Sequence, residues 1–152
     1  MPTGFGAALA GLARLKELAI PATYVPTAEE KGNAALARLK DMYGVYQEGD
    51  PHLADSTVLA RDRLGVPADE PLLITGGLRD ANTVSVTETA EGVVIELGMP
   101  AGDPHATIAQ VQERGDLAGH VPPRPRYRRV GEEMGPEIVA AFSDVIAEHI
   151  RP

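Results

Sequence analysis

Two short stretches of strict alternation near the middle of the chain constrain its fold more than any other feature. Residues 82–88 set Thr83, Ser85 and Thr87 against Val84 and Val86, and residues 93–99 set Val93, Ile95, Leu97 and Met99 against Val94, Glu96 and Gly98. Ala90, Glu91 and Gly92 join them. Successive side chains on a strand point to opposite faces, so each stretch has one apolar and one polar face. The short connection with a glycine predicts an antiparallel hairpin.

Helical periodicity flanks the hairpin. In residues 5–18, Phe5, Leu9 and Leu12 share one face with Ala19, with Ala8 and Leu15 beside them. Pro21 and Pro26 bracket an extended link. Thr27 and Glu30 have the spacing of a capping box, which predicts a helix from Thr27. Leu36, Leu39, Tyr43 and Tyr46 form its expected apolar stripe, and Gly49, Asp50 and Pro51 its end. Asp55 or Ser56 is positioned to cap a short helix through Val58, Leu59 and Arg63, closed by Gly65. Residues 66–71 read as a loop. Leu72, Leu73 and Ile74 are apolar in succession, which predicts cover on both faces, and Gly76 and Gly77 permit a sharp turn with positive φ. After the hairpin come a loop over 100–104, a short helix over 106–114 carrying Ile108 and Val111, and a loop over 115–125. Pro136 suits the first position of a last helix, with Ile138, Phe142, Val145, Ile146 and Ile150 as its apolar face. The expected fold class is α+β: one domain over residues 1–152, with a small antiparallel β-sheet packed against N-terminal and C-terminal α-helices. Residues 1–52 form its helical N-terminal part, and residues 53–150 are the part that carries a family likeness.

Charge and composition remove several function classes. The 14 Lys and Arg face 22 Asp and Glu, and a net charge of −8 makes the average surface repel phosphate. The absence of cysteine excludes disulfides, thiolate metal sites and cysteine nucleophiles, and fits a reducing cytoplasm. No run of about 18 apolar residues exists, so no membrane span is expected. The first residues lack a basic stretch followed by an apolar one, so no signal peptide is expected.

The motifs of the common enzyme classes are missing: no Gly-x-Ser-x-Gly elbow, no Walker loop and no His-Glu-x-x-His helix. Thr75-Gly76-Gly77-Leu78 lacks the lysine and the spacing that cradle phosphate and reads as a structural turn at a strand end. Asp50-Pro51-His52 and Asp103-Pro104-His105 repeat a tripeptide that contains two metal-ligand types, but neither supplies a further local ligand, and Asp-Pro opens turns. The neighbouring pairs Glu29-Glu30 and Glu132-Glu133 point apart on a helix and suit a solvated face. Neither a catalytic residue, a cofactor nor a metal is assigned.

One basic cluster remains: Arg124, Arg126, Arg128 and Arg129 with Tyr127 among them. Arginines interleaved with an aromatic ring can grip nucleic acid. They can equally form bidentate pairs with carboxylates of a neighbouring subunit, and the acidity of the rest of the chain favours that reading. Glu132, Glu133 and Glu137 are acidic partners that another copy would offer.

The motifs also occur in a recognisable order. Leu53-Ala54-Asp55-Ser56-Thr57 with Arg61 downstream is followed by Pro71-Leu72-Leu73-Ile74-Thr75-Gly76-Gly77-Leu78-Arg79-Asp80. The hairpin comes next, then His105-Ala106-Thr107-Ile108-Ala109-Gln110 leading to Gly115, and Val121-Pro122-Pro123-Arg124-Pro125-Arg126-Tyr127 before the last helix. This series resembles the virion-morphogenesis proteins of tailed bacteriophages, the tail-completion or head–tail joining (neck) group. The likeness spans residues 53–150. Chains of that group carry a Leu-x-x-x-Thr element, a Thr-Gly-x-Leu-Arg turn, a Tyr-Ala-x-x-His-x-x-Gly segment and a Pro-x-Arg-Pro loop. Here Ala81-Asn82 replaces the usual serine after Leu-Arg, His105 replaces the tyrosine and Arg126 the phenylalanine.

The resemblance implies structural work without cofactor or turnover. It implies a ring, usually a hexamer, at the head-proximal end of the tail, in contact with the tail tube protein and the head–tail connector proteins. Genome DNA would pass through its lumen without specific binding, and the chain would belong to the virion after assembly in the host cytoplasm. The expected subunit or partner contacts are Arg79, Arg124, Arg126, Tyr127, Arg128 and Arg129, with the hairpin edge available for pairing between copies. A tail terminator variant and a DNA-binding module using the 124–129 loop are the alternatives.

Overall fold

A computed structural model describes residues 23–90 and 92–150; the helix expected over residues 5–18 and the first two residues of the link expected over 21–26 lie outside them. The end of that link is not extended, because Tyr24 is already αR and Val25 and Pro26 are helical. The described elements run α1 (Val25–Asp41), α2 (Asp55–Arg63), α3 (Gly77–Asp80), β1 (Thr83–Thr89), β2 (Gly92–Gly98), α4 (Ala106–Arg114) and α5 (Tyr127–Ile150). The architecture is mixed α+β, a two-stranded antiparallel sheet with helices before and after it.

The hairpin forms as its alternation requires. Thr83 pairs with Gly98, Val86 with Ile95, and Thr89 with Gly92. Val84, Val86, Val93, Ile95 and Leu97 face inward and are half-buried, while Ser85, Thr87, Val94 and Glu96 are exposed.

The inward face is covered by α1, through a stripe that shares Leu39 with the expected one; Tyr43 is buried in the core as expected, beyond the helix end. Ala28, Gly32, Ala35 and Leu39 are the buried positions of α1. Three of the four are small, and that lets the strands approach the helix backbone. A Cβ on Gly32 would lie 2.9 Å from Val84 Cγ2 and 3.2 Å from Ile95 Cγ2. The helix starts at Val25, two residues before the expected Thr27, and no side chain caps it. Pro26 falls in the first turn, where its missing N–H costs nothing and its φ is already helical. The helix also ends early: Gly44 adopts φ 84° and donates its N–H to the Pro71 carbonyl. Tyr46 therefore lies beyond the helix, and its hydroxyl holds Asp69 Oδ1 at 2.6 Å.

The remaining differences are local. α2 spans the expected residues, with Ala54 rather than Asp55 or Ser56 at the cap position and Asp55 in the first turn. The 72–74 run is not covered on both faces: Leu72 is buried at φ 63°, whereas Ile74 is half exposed. Gly76 takes the predicted positive φ, 85°, but the turn leads into α3 rather than ending a strand. α5 begins at Tyr127, nine residues before Pro136, which lies inside the helix. Gly135 before it has no Cβ to clash with the proline ring, and the Glu132 carbonyl that loses its donor belongs to an exposed residue.

The core joins these elements. Ala35, Leu39, Met42, Tyr43, Leu72 and Val130 form its centre, and Leu78, Leu97, Tyr127 and Met134 pack around them.

Candidate functional site: the arginine loop and its cleft

The arginine loop is an internal clamp. The Arg126 guanidinium is 1% exposed and forms a two-point pair with Asp50, Nη2 to Oδ2 at 2.6 Å and Nη1 to Oδ1 at 3.1 Å. Arg129 reaches the same carboxylate at 3.5 Å and donates to the Glu48 carbonyl at 2.6 Å. Asp50 is held from its own side by the Gln47 N–H at 2.9 Å. Burial by itself would raise the Asp50 carboxyl pKa. The Arg126 hydrogen bonds, the Gln47 N–H and the charges of Arg126 and Arg129 outweigh it, and the group stays below its usual range.

Arg124, 5% exposed, has no carboxylate partner among the described residues. It donates through Nε and Nη2 to the Pro51 carbonyl at 3.3 and 2.9 Å, and through Nη2 to the His52 carbonyl at 3.4 Å. Its backbone N–H binds the Gln112 carbonyl at 2.6 Å. Loop 45–53, loop 121–126 and α4 are thus tied together.

Glu113 explains why α5 starts where it does. Its Oε2 accepts from the Arg126 and Tyr127 N–H groups at 2.7 and 3.2 Å, and its Oε1 from the Arg128 N–H at 3.0 Å. A carboxylate from α4 thereby caps the free donors and the positive dipole end of α5. Asn82 is a second buried tie. Its Nδ2 donates to Tyr43 Oη and to the Leu78 and Arg79 carbonyls, and its Oδ1 accepts from Tyr127 Oη. Burial is the main cause that raises the pKa of both tyrosines, so both stay protonated.

These placements revise the interface expectation. Arg126 is buried and spent on Asp50, Tyr127 is spent on Asn82, and Arg124 is buried with its Nε and Nη2 on carbonyls and reaches only the cleft it lines, so none of the three is presented on the outer surface. The physical reason is desolvation: a guanidinium this buried needs acceptors of its own, and Asp50 and the 51–52 carbonyls supply them. Arg128 remains on the surface, 69% exposed, 3.8 Å from Glu132. Arg79 is half-exposed and pairs with its neighbour Asp80 at 2.8 Å. The acidic partners expected from another copy are engaged within the chain as well: Glu133 by Arg38 at 2.7 Å and Glu137 by Lys31 at 2.7 Å. A nucleic acid would meet two fewer arginines than the sequence suggests.

The turn residues have a structural part. A Cβ on Gly77 would sit 2.9 Å from His105 Nε2, so glycine there admits the imidazole. His105 Nδ1 lies 2.9 Å from Asp103 Oδ1, which also accepts the His105 N–H. Thr75 is exposed, and Leu78 packs on the core. The two Asp-Pro-His tripeptides do not meet at a metal site. Asp50 is taken up by arginine, His52 packs on the Tyr46 ring at 4.5 Å, and no group of three or more His, Asp or Glu among the described residues is placed to hold an ion.

Four separated stretches converge on one cleft of about 340 Å³. Leu53 and Arg61 come from the first, Leu72, Ile74, Thr75, Gly76 and Leu78 from the second, His105, Ile108 and Gln112 from the third and Arg124 from the fourth. These are the stretches whose order carries the sequence resemblance. No family model, no curated protein and no solved structure matches the chain. No helix among the described residues is long and apolar enough to cross a membrane.

Proposed function

We propose that this chain is a structural virion protein that assembles as a ring at the head-proximal end of a phage tail, completes the tail and joins it to the head connector. The observation that carries the reading is the convergence just described: the four motifs that resemble the tail-completion group pack against each other around one cleft. Motifs that contact each other support each other in folding, and this supports reading their joint occurrence as one architecture. Their residues are engaged in structural work, with Arg61 holding the Pro67, Glu70 and Leu73 carbonyls and Arg124 those of Pro51 and His52.

The surface suits a closed assembly of heterologous contacts. Among the described residues the two-stranded sheet has an outer edge on each strand, and its outer face carries Val94, 44% exposed. An open edge beside exposed apolar groups favours strand pairing between copies. Arg79 and Arg128 are the surface arginines of the original set that remain for partner contacts, with the tail tube protein and head–tail connector as the expected partners.

Negative-stain imaging of the purified protein tests the reading. Rings with a central channel are expected for the wild type. Val94→Lys places a charge on the outer sheet face without touching the core, so it should retain the fold and lose rings. A Val94→Lys protein that forms the same rings would remove the hairpin face from the interface.

A further inference from the structure

The cleft holds a second chemical signature, independent of any assembly role. Arg124 and Arg61 both line it. The other three arginines of the 124–129 loop are paired with carboxylates, but these two are not, among the described residues. Arg124 uses Nε and Nη2 on carbonyls, which leaves Nη1 without a hydrogen bond; Arg61 uses Nη1 alone, which leaves Nε and Nη2. Burial is the first cause that lowers the Arg124 pKa. Asp50 and Tyr46 offset it in part, and the nearby Arg126 and Arg61 add to it. Two cations thus share one partly enclosed space without a counter-charge of their own, and free guanidinium donors of this kind match a carboxylate.

Two further features narrow the anion. Leu53, Leu72, Ile74, Leu78 and Ile108 supply an aliphatic lining, which suits a branched hydrocarbon and not a hydrated phosphate. Gln112 also lines the cleft, and its Oε1 is buried with no donor. An unfilled buried acceptor calls for an N–H. Carboxylate, N–H and aliphatic side chain occur together at the C-terminal residue of a polypeptide that ends in leucine, isoleucine or valine.

We infer that the cleft captures the free C-terminus of a partner polypeptide ending in an aliphatic residue. Its carboxylate lies on Arg124 and Arg61, its last amide N–H on Gln112 Oε1, and its side chain among Leu53, Leu72 and Ile108. About 340 Å³ accommodates one such residue and part of the next.

The test is a methyl and arginine side-chain NMR titration of the full chain with three probes: a short peptide ending in a free leucine carboxylate, the same peptide amidated, and 4-methylpentanoate. The free-acid peptide should shift the Leu53, Leu72 and Ile108 methyls and the Arg124 Nε–H saturably. The amide should bind at least about tenfold more weakly, as loss of a charged hydrogen-bond partner requires. The simple acid should also bind more weakly, because it has no N–H for Gln112. Equal binding of peptide acid and amide would overturn the carboxylate assignment. Equal binding of peptide and 4-methylpentanoate would overturn the peptide assignment in favour of a free aliphatic acid. Arg124→Ala removes structural hydrogen bonds and risks unfolding, so the informative variant is Ile108→Glu. Ile108 is half exposed, and a glutamate there gives the cleft its own carboxylate. That variant should melt like the wild type and lose the peptide; retained affinity would place the binding elsewhere.

Discussion

Asp50 is the residue on which the loop architecture turns. It is acidic, its side chain is fully buried, and it neutralises one of two arginines while facing both. Asp50→Asn keeps the shape but leaves Arg126 as a buried charge without a counter-charge. Breaking a buried pair from one side costs about 3–5 kcal/mol, so denaturant melts should show a loss of that order. The pH dependence follows from the direction of the shift. The unfolded carboxyl titrates near 3.8 and the folded one below it. The pair's contribution is therefore complete above the unfolded value and is lost as pH falls through the folded value. The stability gap between wild type and Asp50→Asn should be constant at neutral pH and narrow on acidification below pH about 4. A gap that widens with acid would contradict the assignment. None of this was legible locally: Asp50 reads as a turn opener, and the residue that explains its burial is 76 positions away.

At the scale of elements, the hairpin and α4 were legible because one short window of sequence contains their whole signal. The boundaries of α1 and α5 were not. Of the expected stripe, Leu39 and Tyr43 are buried in the core, whereas Leu36 is half-buried and Tyr46 lies beyond the helix; the small residues Ala28, Gly32 and Ala35, which α1 presents to the sheet, carry no large apolar side chain to mark them in the sequence. α5 is started by Glu113 from another helix, which outweighs the local preference for Pro136 at a helix start. Two substitutions test these explanations. Gly32→Leu should lower stability by about 1–3 kcal/mol through overlap with Val84 and Ile95. Ala34→Leu, on the exposed side of the same helix, should be close to neutral. Equal effects at the two positions would contradict the docking of α1 on the hairpin. Pro136→Ala restores a backbone donor inside an otherwise continuous helix and should raise the melting temperature; a fall would mean that the proline stabilises a bend the fold requires.

For the molecule as a whole, the sequence supplied the fold class and grouped the residues that converge on the cleft, while misplacing their role. Arg124, Arg126 and Tyr127 were legible as a functional cluster because arginines and an aromatic ring stand together. Their use inside the chain was not, because a buried arginine and a surface one have the same letter. Of the expected contact set, Arg128 is exposed and Arg79 half-exposed, and with the hairpin edge, open among the described residues, they are the surfaces from which a ring would be built. The measurement that tests the ring most directly is the solution mass by light scattering over a concentration series. The ring reading predicts one discrete species at a whole-number multiple of the 16.0 kDa chain, with no continuous growth as concentration rises. A species of 16.0 kDa at every concentration would contradict it.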